Sequence, residues 1–360
     1  MDADGINVTL ILPEIVILLA AIIPLVVDMF SKAKKQVVCY WISLVGLVLA
    51  ALITILTQLG AEDITLGGAY IADSFGAVLK LTIFFCVMGV LIYSHKYILD
   101  RSLEHGEYYM LALTGVLGMM VMISGHNLLV LYLGVELLAM SLYSLVVYCR
   151  HNEKKATESG IKYYVLGAMA SAVLLLGMAM IYGATGSLDL DVIKQAVLTG
   201  QFEHGRLMLG IALVIVAFGF KFGAVPFHMW LPDVYHGSPT AVSVYVASAP
   251  KVAAFGFAAR ILIETFDVVQ PDWQMVAIVL AILSALAGNL LMLKQTNLKR
   301  LLGYSAVAHA GYVFLGFAVG KSFDFDGYTA SLFYTVTYAF VAAGVFGLLL
   351  LVTHHGHEAE

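Results

Sequence analysis

The sequence predicts an all-α, polytopic integral membrane protein of about 11 transmembrane helices. Of its 360 residues 61% are hydrophobic and only 12% charged, half the roughly 25% charged content of a soluble domain. Apolar segments of about 20 residues, the length that crosses a bilayer, recur along the chain. The basic residues collect in alternate connections between these segments, as in a multi-pass protein.

Residues 8–30 form the first segment. Its acidic start (Asp2, Asp4), its length and the lack of a small-residue cleavage site after it mark a membrane span and not an export signal. Spans at 37–58 and 74–93 follow, the latter carrying Lys80, and then 108–124 and 127–148, the latter carrying Glu136. The span 161–184 precedes the longest polar insert, 185–206, which is expected to be a loop holding a short helix. The span 207–225 carries Lys221 and runs into "FGFKFGAVPFHMWLPD" (218–233), where Pro226 breaks it. The span 240–265 contains Pro250, Lys251 and Arg260. The spans 274–293, 301–319 (with His309) and 328–352 complete the series. Strands of alternating polarity are not expected, which disfavours an outer-membrane barrel.

The connections holding Lys32, Lys34, Lys35, Lys96, Arg101, Arg150, Lys154, Lys155, Lys162, Lys294, Lys299 and Arg300 share one side if all the spans cross. The opposite side holds Lys194, Arg206 and Lys321. The positive-inside rule then places the N-terminus outside and residue 360 on the cytoplasmic side. The net charge of −5 provides no basic patch for nucleic acid. Cys39, Cys86 and Cys149 are scattered without a CxxC pair, so they are assigned to packing, not to iron–sulfur or zinc ligation. The tract "HHGH" at 354–357 is assigned to a solvated tail.

Four basic residues fall inside spans. Lys80 and Arg260, nearer the outer edge, are expected to snorkel to the interface. Lys221, Lys251 and the acid Glu136 lie deeper, where a charge costs at least ~2.5–3.5 kcal/mol and usually faces a polar interior. On the helical face of Glu136 stand Tyr132, Met140 and Tyr143; on that of Lys251 stand the small residues Ser243, Ala247, Ala254 and Ala258. Pro226, Pro232, Pro239 and Pro250, four of the seven prolines, cluster here, and broken helices at membrane depth are tolerated where they line an aqueous cavity. Desolvation favours a neutral amine, whereas a nearby carboxylate favours the ammonium. Movement of Glu136 relative to Lys221 can therefore load or unload a proton. A static pair that only fixes helix register is the alternative. His228 and His309 suit either a relay or a packing role.

The stretches "FKFGAVPFHMWLPDVYHGSPTAVSVYVASAPKVAAFGFAAR" (220–260), "QTNLKRLLGYSAVAHAGYVFLG" (295–316) and "HNLLVLYLGVELLAMSLYSLVVY" (126–148) closely resemble the antiporter-like proton-channel subunits of respiratory complex I, NADH–quinone oxidoreductase. "PDVYHGSP" and "ASAPKVAAF" are similar to its N-type (mitochondrial subunit 2) branch. L- and M-type subunits and Mrp antiporters usually read "PDAH.EAPT" and Leu-Leu-Lys at these places. The resemblance covers nearly the whole chain.

It implies that Glu136 modulates Lys221, that Lys221 accepts a proton, and that Lys251, helped by His228 and His309, passes it sideways. It also implies three N-terminal helices (1–107), a first inverted repeat of helices 4–8 with a broken helix 7 (108–265), and the start of a second repeat (266–360). That second repeat is expected to be incomplete, because such subunits carry about fourteen helices and the lysine of their helix 12 has no counterpart here. Neighbouring membrane-arm subunits in a bacterial inner membrane are the implied partners. NAD, FMN, iron–sulfur clusters and quinone are expected elsewhere in the complex, with no cofactor on this chain, which has neither GxGxxG nor clustered cysteines. The rival functions are a subunit of an Mrp-type cation/proton antiporter and a structural membrane scaffold.

Overall fold

The computed structural model describes residues 6–30, 35–100, 106–148, 154–321 and 326–352. Lys32, Lys34, Arg101, Cys149, Arg150 and the tract 354–357 lie outside the described residues. The helices are α1 (Val8–Phe30), α2 (Lys35–Thr57), α3 (Ser74–Asp100), α4 (Gly106–Ser124), α5 (Leu128–Val146), α6 (Lys154–Thr185), α7 (Leu190–Thr199), α8 (His204–Phe222), α9 (Trp230–Gly237), α10 (Thr240–Ala247), α11 (Ala249–Ala258), α12 (Gln270–Met292), α13 (Leu298–Val319) and α14 (Gly327–Val352). Among the described residues 11 stretches are long and apolar enough to span a bilayer, in register with the 11 expected. The short helix anticipated within 185–206 is α7.

The stretch Thr240–Thr265 is buried at almost every position and forms the centre of the bundle. Around it the other helices turn residues such as Leu56, Leu293 and Phe333 outward, which suits contact with lipid. In hydrocarbon, helices associate by close packing and not by expulsion of water, so small residues mark the contacts. A Cβ on Gly118 of α4 would come within 2.5 Å of the Leu138 backbone nitrogen, and one on Gly134 of α5 within 2.7 Å of that of Met122. The two backbones are in contact, and this crossing sets the position of α5 and therefore of Glu136. The Tyr245 hydroxyl donates to Ala112 O at 2.7 Å and ties α10 to α4. Hydroxyls inside spans turn back onto their own helix, as when Ser43 donates to Cys39 O at 2.9 Å.

Three expectations are corrected. Strands were not expected, yet β1 (Glu62–Thr65) and β2 (Tyr70–Asp73) form an antiparallel hairpin between α2 and α3. Its turn places Leu66, Gly67 and Gly68 at positive φ, and Tyr70 and Ala72 face inward with a period of two. The basic residues counted with connections extend into the helix ends, Lys96 in α3, Lys154, Lys155 and Lys162 in α6, Lys299 and Arg300 in α13; of these Lys299 is buried, donating to Ser238 O at 3.2 Å. Lys80 and Arg260 do not snorkel: both are fully buried.

Apart from Glu264, one turn from Arg260, the partners of these two cations come from other elements. Lys80 Nζ donates to Glu14 Oε1 at 2.6 Å, Gln58 Oε1 at 3.0 Å and the Tyr70 hydroxyl at 2.8 Å. Arg260 donates to both oxygens of Asp73 at 2.7 and 2.8 Å, to Glu264 at 2.6 Å and to Ile123 O at 2.8 Å. A long side chain reaches the interface only when no acceptor is nearer. Here the hairpin folds acceptors, Tyr70 and Asp73, onto the bundle end.

Candidate functional site

The site begins where α8 ends. The last carbonyls of a helix lack intrahelical partners, and at membrane depth water does not supply them freely. Gly223 closes α8 in the left-handed region, φ +79°, with its N–H on Gly219 O and Phe220 O. Trp230 Nε1 donates to Phe220 O at 2.9 Å. Lys251 Nζ takes the last two carbonyls, Phe222 O at 2.6 Å and Lys221 O at 3.3 Å. Broken helix 7 is therefore α8, the irregular segment 223–229 with its cis Val225–Pro226 bond, and α9. A cation at the negative end of the α8 dipole is favourably placed.

Helix 8 is broken too. α10 stops at Ala247, Ser248 adopts φ −108° and ψ −96°, and α11 restarts with Pro250 in its first turn. The Ser248 hydroxyl donates to Val244 O at 2.8 Å. The offset delivers Lys251, 3% exposed, to the α8 terminus. Beyond α11 the helix widens into a π-helical turn, Ala259–Thr265.

Lys251 stands between two cavities. One, of about 20 Å³, is lined by Lys221, Lys251, Tyr163, Trp230 and Leu138 among others. The second, of about 10 Å³, is lined by Lys251, His309, Thr335 and Tyr338 among others. The first has room for about one water, and the second is near the lower limit for one. Glu136 lies one turn from the first cavity on α5, half-buried, with Oε1 lacking a hydrogen-bond partner. A charge on Glu136 would stand within electrostatic reach of Lys221, Tyr132 and Tyr143. Tyr132 and Tyr143 thus share its surroundings as expected, whereas Met140 points outward, 52% exposed. His309 Nδ1 hydrogen-bonds the Tyr334 hydroxyl, and its ring is 4.7 Å from that of Tyr338.

His228 is set apart from this group. It lies in the irregular segment, 6.3 Å from the Tyr304 ring, with a buried Nδ1 lacking a hydrogen bond, and lines neither cavity. The expected set thus divides into four residues gathered around two cavities and one beside them.

Residues 125–360 match the family described as NADH:quinone oxidoreductase/Mrp antiporter, TM, and residues 5–94 match NAD(P)H-quinone oxidoreductase subunit 2 N-terminal. NADH-quinone oxidoreductase subunit N of Alkalilimnicola ehrlichii is 45% identical over 354 residues, 98% of this chain and 71% of that one. The chain belongs to the NADH-quinone oxidoreductase subunit N family. Respiratory complex I from Thermus thermophilus with bound Aureothin has a chain that superposes with TM-score 0.77 at 30% identity, over 94% of this chain and 70% of that one. A chain of the Mrp complex from Dietzia sp. DQ12-45-1b superposes with TM-score 0.81 over 96% of this chain and 37% of that one. At 21% identity that likeness is one of fold alone.

In this member of the subunit N family, several site residues were not singled out from sequence. Tyr334 and Tyr338 are four apart on α14 and share a face, but nothing in an apolar run shows which face meets His309. Glu14 interrupts the first apolar run one residue after Pro13, a signal that was readable. Asp233 in α9 binds Arg300 at 2.6 Å and Lys162 at 3.0 Å. Both of its carboxylate oxygens are engaged, Oδ1 by Arg300 and Oδ2 by Lys162. That clamp pins α9 to α6 and α13, and so steadies the break in helix 7.

Gly223 offers a direct test of the α8 terminus. A Cβ there would lie 2.3 Å from Leu231 Cδ1 in a backbone conformation that L-residues avoid. Gly223→Ala is expected to destabilise by about 1–2 kcal/mol from the conformation alone, with the clash adding to it. A lowered thermal unfolding midpoint of the solubilised complex would show this; an unchanged midpoint would contradict the assigned cap.

Proposed function

We propose that this subunit, in the membrane arm of a proton-translocating NADH:quinone oxidoreductase, carries protons along Glu136, Lys221, Lys251 and His309. The observation that carries the proposal is the position of Lys251, which borders one cavity with Lys221 and another with His309. A proton on Lys221 is loaded or released as the influence of Glu136 changes. One water in the first cavity hands it to Lys251, and the second cavity leads to His309 and its tyrosines. His228, in the break of helix 7 beside the Tyr304 ring, is the fifth member of the relay, standing beside the two cavities.

Proton movement in the chain is coupled to NADH oxidation and quinone reduction on other subunits, where NAD, FMN, iron–sulfur and quinone chemistry is placed. Residues 1–107 serve as the three-helix N-terminal part, 108–265 as the first antiporter-like repeat and 266–360 as the beginning of the second. Lys96, Lys154, Lys155, Lys162, Lys294 and Arg300 support an orientation with the N-terminus outside the bacterial plasma membrane.

The experiment is NADH-driven proton uptake in inverted membrane vesicles containing the assembled complex. Glu136→Gln is expected to slow uptake about tenfold, equivalent to ~1.4 kcal/mol of altered electrostatics at Lys221. Lys221→Ala is expected to reduce it further while the complex still assembles. Wild-type uptake in both assembled variants would refute the relay and favour a static pair.

A further inference from the structure

We propose that His126, Asp189 and Asp191 form a binding site for a divalent transition-metal cation of the zinc type, at the membrane face that carries the hairpin. His126 sits between α4 and α5, Asp189 caps α7, and Asp191 lies in the first turn of α7. One ligand atom from each lies within 4.8 Å of the others. Ligands around zinc at ~2.0–2.2 Å lie roughly 3.3–3.5 Å apart, so a small inward movement completes the set.

The scaffold is already built. His126 N donates to Ala69 O at 3.0 Å, Leu128 N to Leu188 O at 2.9 Å and Leu190 N to His126 O at 3.3 Å. Backbone bonds therefore hold the hairpin, the α4–α5 junction and the α7 loop together without help from the three side chains.

The imidazole of His126 makes no hydrogen bond. The residue is 5% exposed, and both ring nitrogens are buried without a hydrogen bond. Nε2 comes 3.0 Å from Asp191 Oδ2, but not in hydrogen-bonding geometry. A buried polar group left unsatisfied costs about 1–3 kcal/mol, so such groups are rare and call for an occupant. A cation between the imidazole and the carboxylates supplies one.

The carboxylates are placed to share that role. Asp189 uses Oδ1 for the α7 cap, accepting from the Asp191 and Val192 amides at 3.0 and 3.2 Å. Its Oδ2 makes no part of the cap and faces Gly68, where a Cβ would stand only 3.0 Å away; the missing side chain keeps that space open. The Asp191 side chain is 61% exposed, so an ion reaches the site from the aqueous phase and keeps a position for water. One imidazole with two carboxylates suits zinc better than magnesium or calcium, which prefer oxygen alone.

The test uses the purified complex in lipid nanodiscs, with Zn²⁺ as the probe and Mg²⁺ as the comparison. Bound zinc is counted by elemental analysis after equilibrium dialysis, for the wild type, His126→Gln and Asp191→Asn. The expected result is one equivalent of zinc lost in each variant. Hydrogen–deuterium exchange on the wild-type complex gives an answer that does not depend on whether the variants assemble. Zinc, unlike magnesium, should slow exchange of the amides of 126–128 and 190–192 severalfold. Equal zinc content in assembled variants, or wild-type exchange indifferent to zinc, would overturn the site.

Discussion

Replacement of Lys251 by Met is expected to slow proton transfer through this subunit about a hundredfold. Among the described residues Lys251 is the one that lines both cavities, and its amine can carry a proton. Without it a proton must cross the middle of the path unsupported, at ~2.5–3.5 kcal/mol or more, roughly 70- to 400-fold in rate. The same substitution strands Phe222 O and Lys221 O at the α8 terminus, so a loss of activity could also arise from a loosened helix break. Lys251→Arg separates the two effects. Its guanidinium satisfies carbonyls but keeps its proton throughout the accessible pH range. Arg is therefore expected to restore assembly and thermal stability but not pumping. NADH-driven proton uptake and the unfolding midpoint, measured on both variants, decide the matter. An arginine variant that pumps like the wild type would remove Lys251 from the relay and leave it a capping residue.

Lys80→Ala is expected to destabilise the subunit by about 3–5 kcal/mol, because it leaves a buried carboxylate without its counter-charge. Glu14 is 6% exposed and its Oε2 already lacks a partner. Its other oxygen receives Lys80 Nζ and the Tyr70 hydroxyl. Loss of the ammonium would also free Gln58 Oε1 and loosen the junction of α1, α2, α3 and the hairpin. The double variant Lys80→Met with Glu14→Gln removes both charges and is expected to recover most of the loss. Denaturation of the solubilised complex, together with the amount of assembled subunit in membranes, measures the cycle. If Lys80→Ala unfolds at the wild-type midpoint, the ion pair contributes nothing to stability.

Some of this was readable without coordinates because bilayer physics is severe. A span needs about 20 apolar residues, so segments such as 37–58 and 328–352 stand out at once, and a charge such as Lys221 in their midst demands a reason. The proline at 226 announced the broken helix 7, since a proline cannot donate to the helical ladder, whereas 240–265 was read as one continuous span and its break at Ser248 came from the structure. The β-hairpin was missed because its four-residue strands, EDIT and YIAD, are too short to show a pattern against the surrounding apolar sequence.

The amino-acid order alone determined that the chain spans a membrane, where it crosses, and which ionisable groups hydrocarbon must not touch. It left open which groups meet, for a helix apolar on every side has no face that patterning can orient. Lys80 finds Glu14 across 66 positions and Lys251 finds Phe222 O across 29. Only tertiary packing decided those pairs, through glycine-lined crossings such as Gly118 on Gly134 and the sharp turn at Ser248. Backbone approach of that kind depends on several helices at once, and no local stretch encodes it.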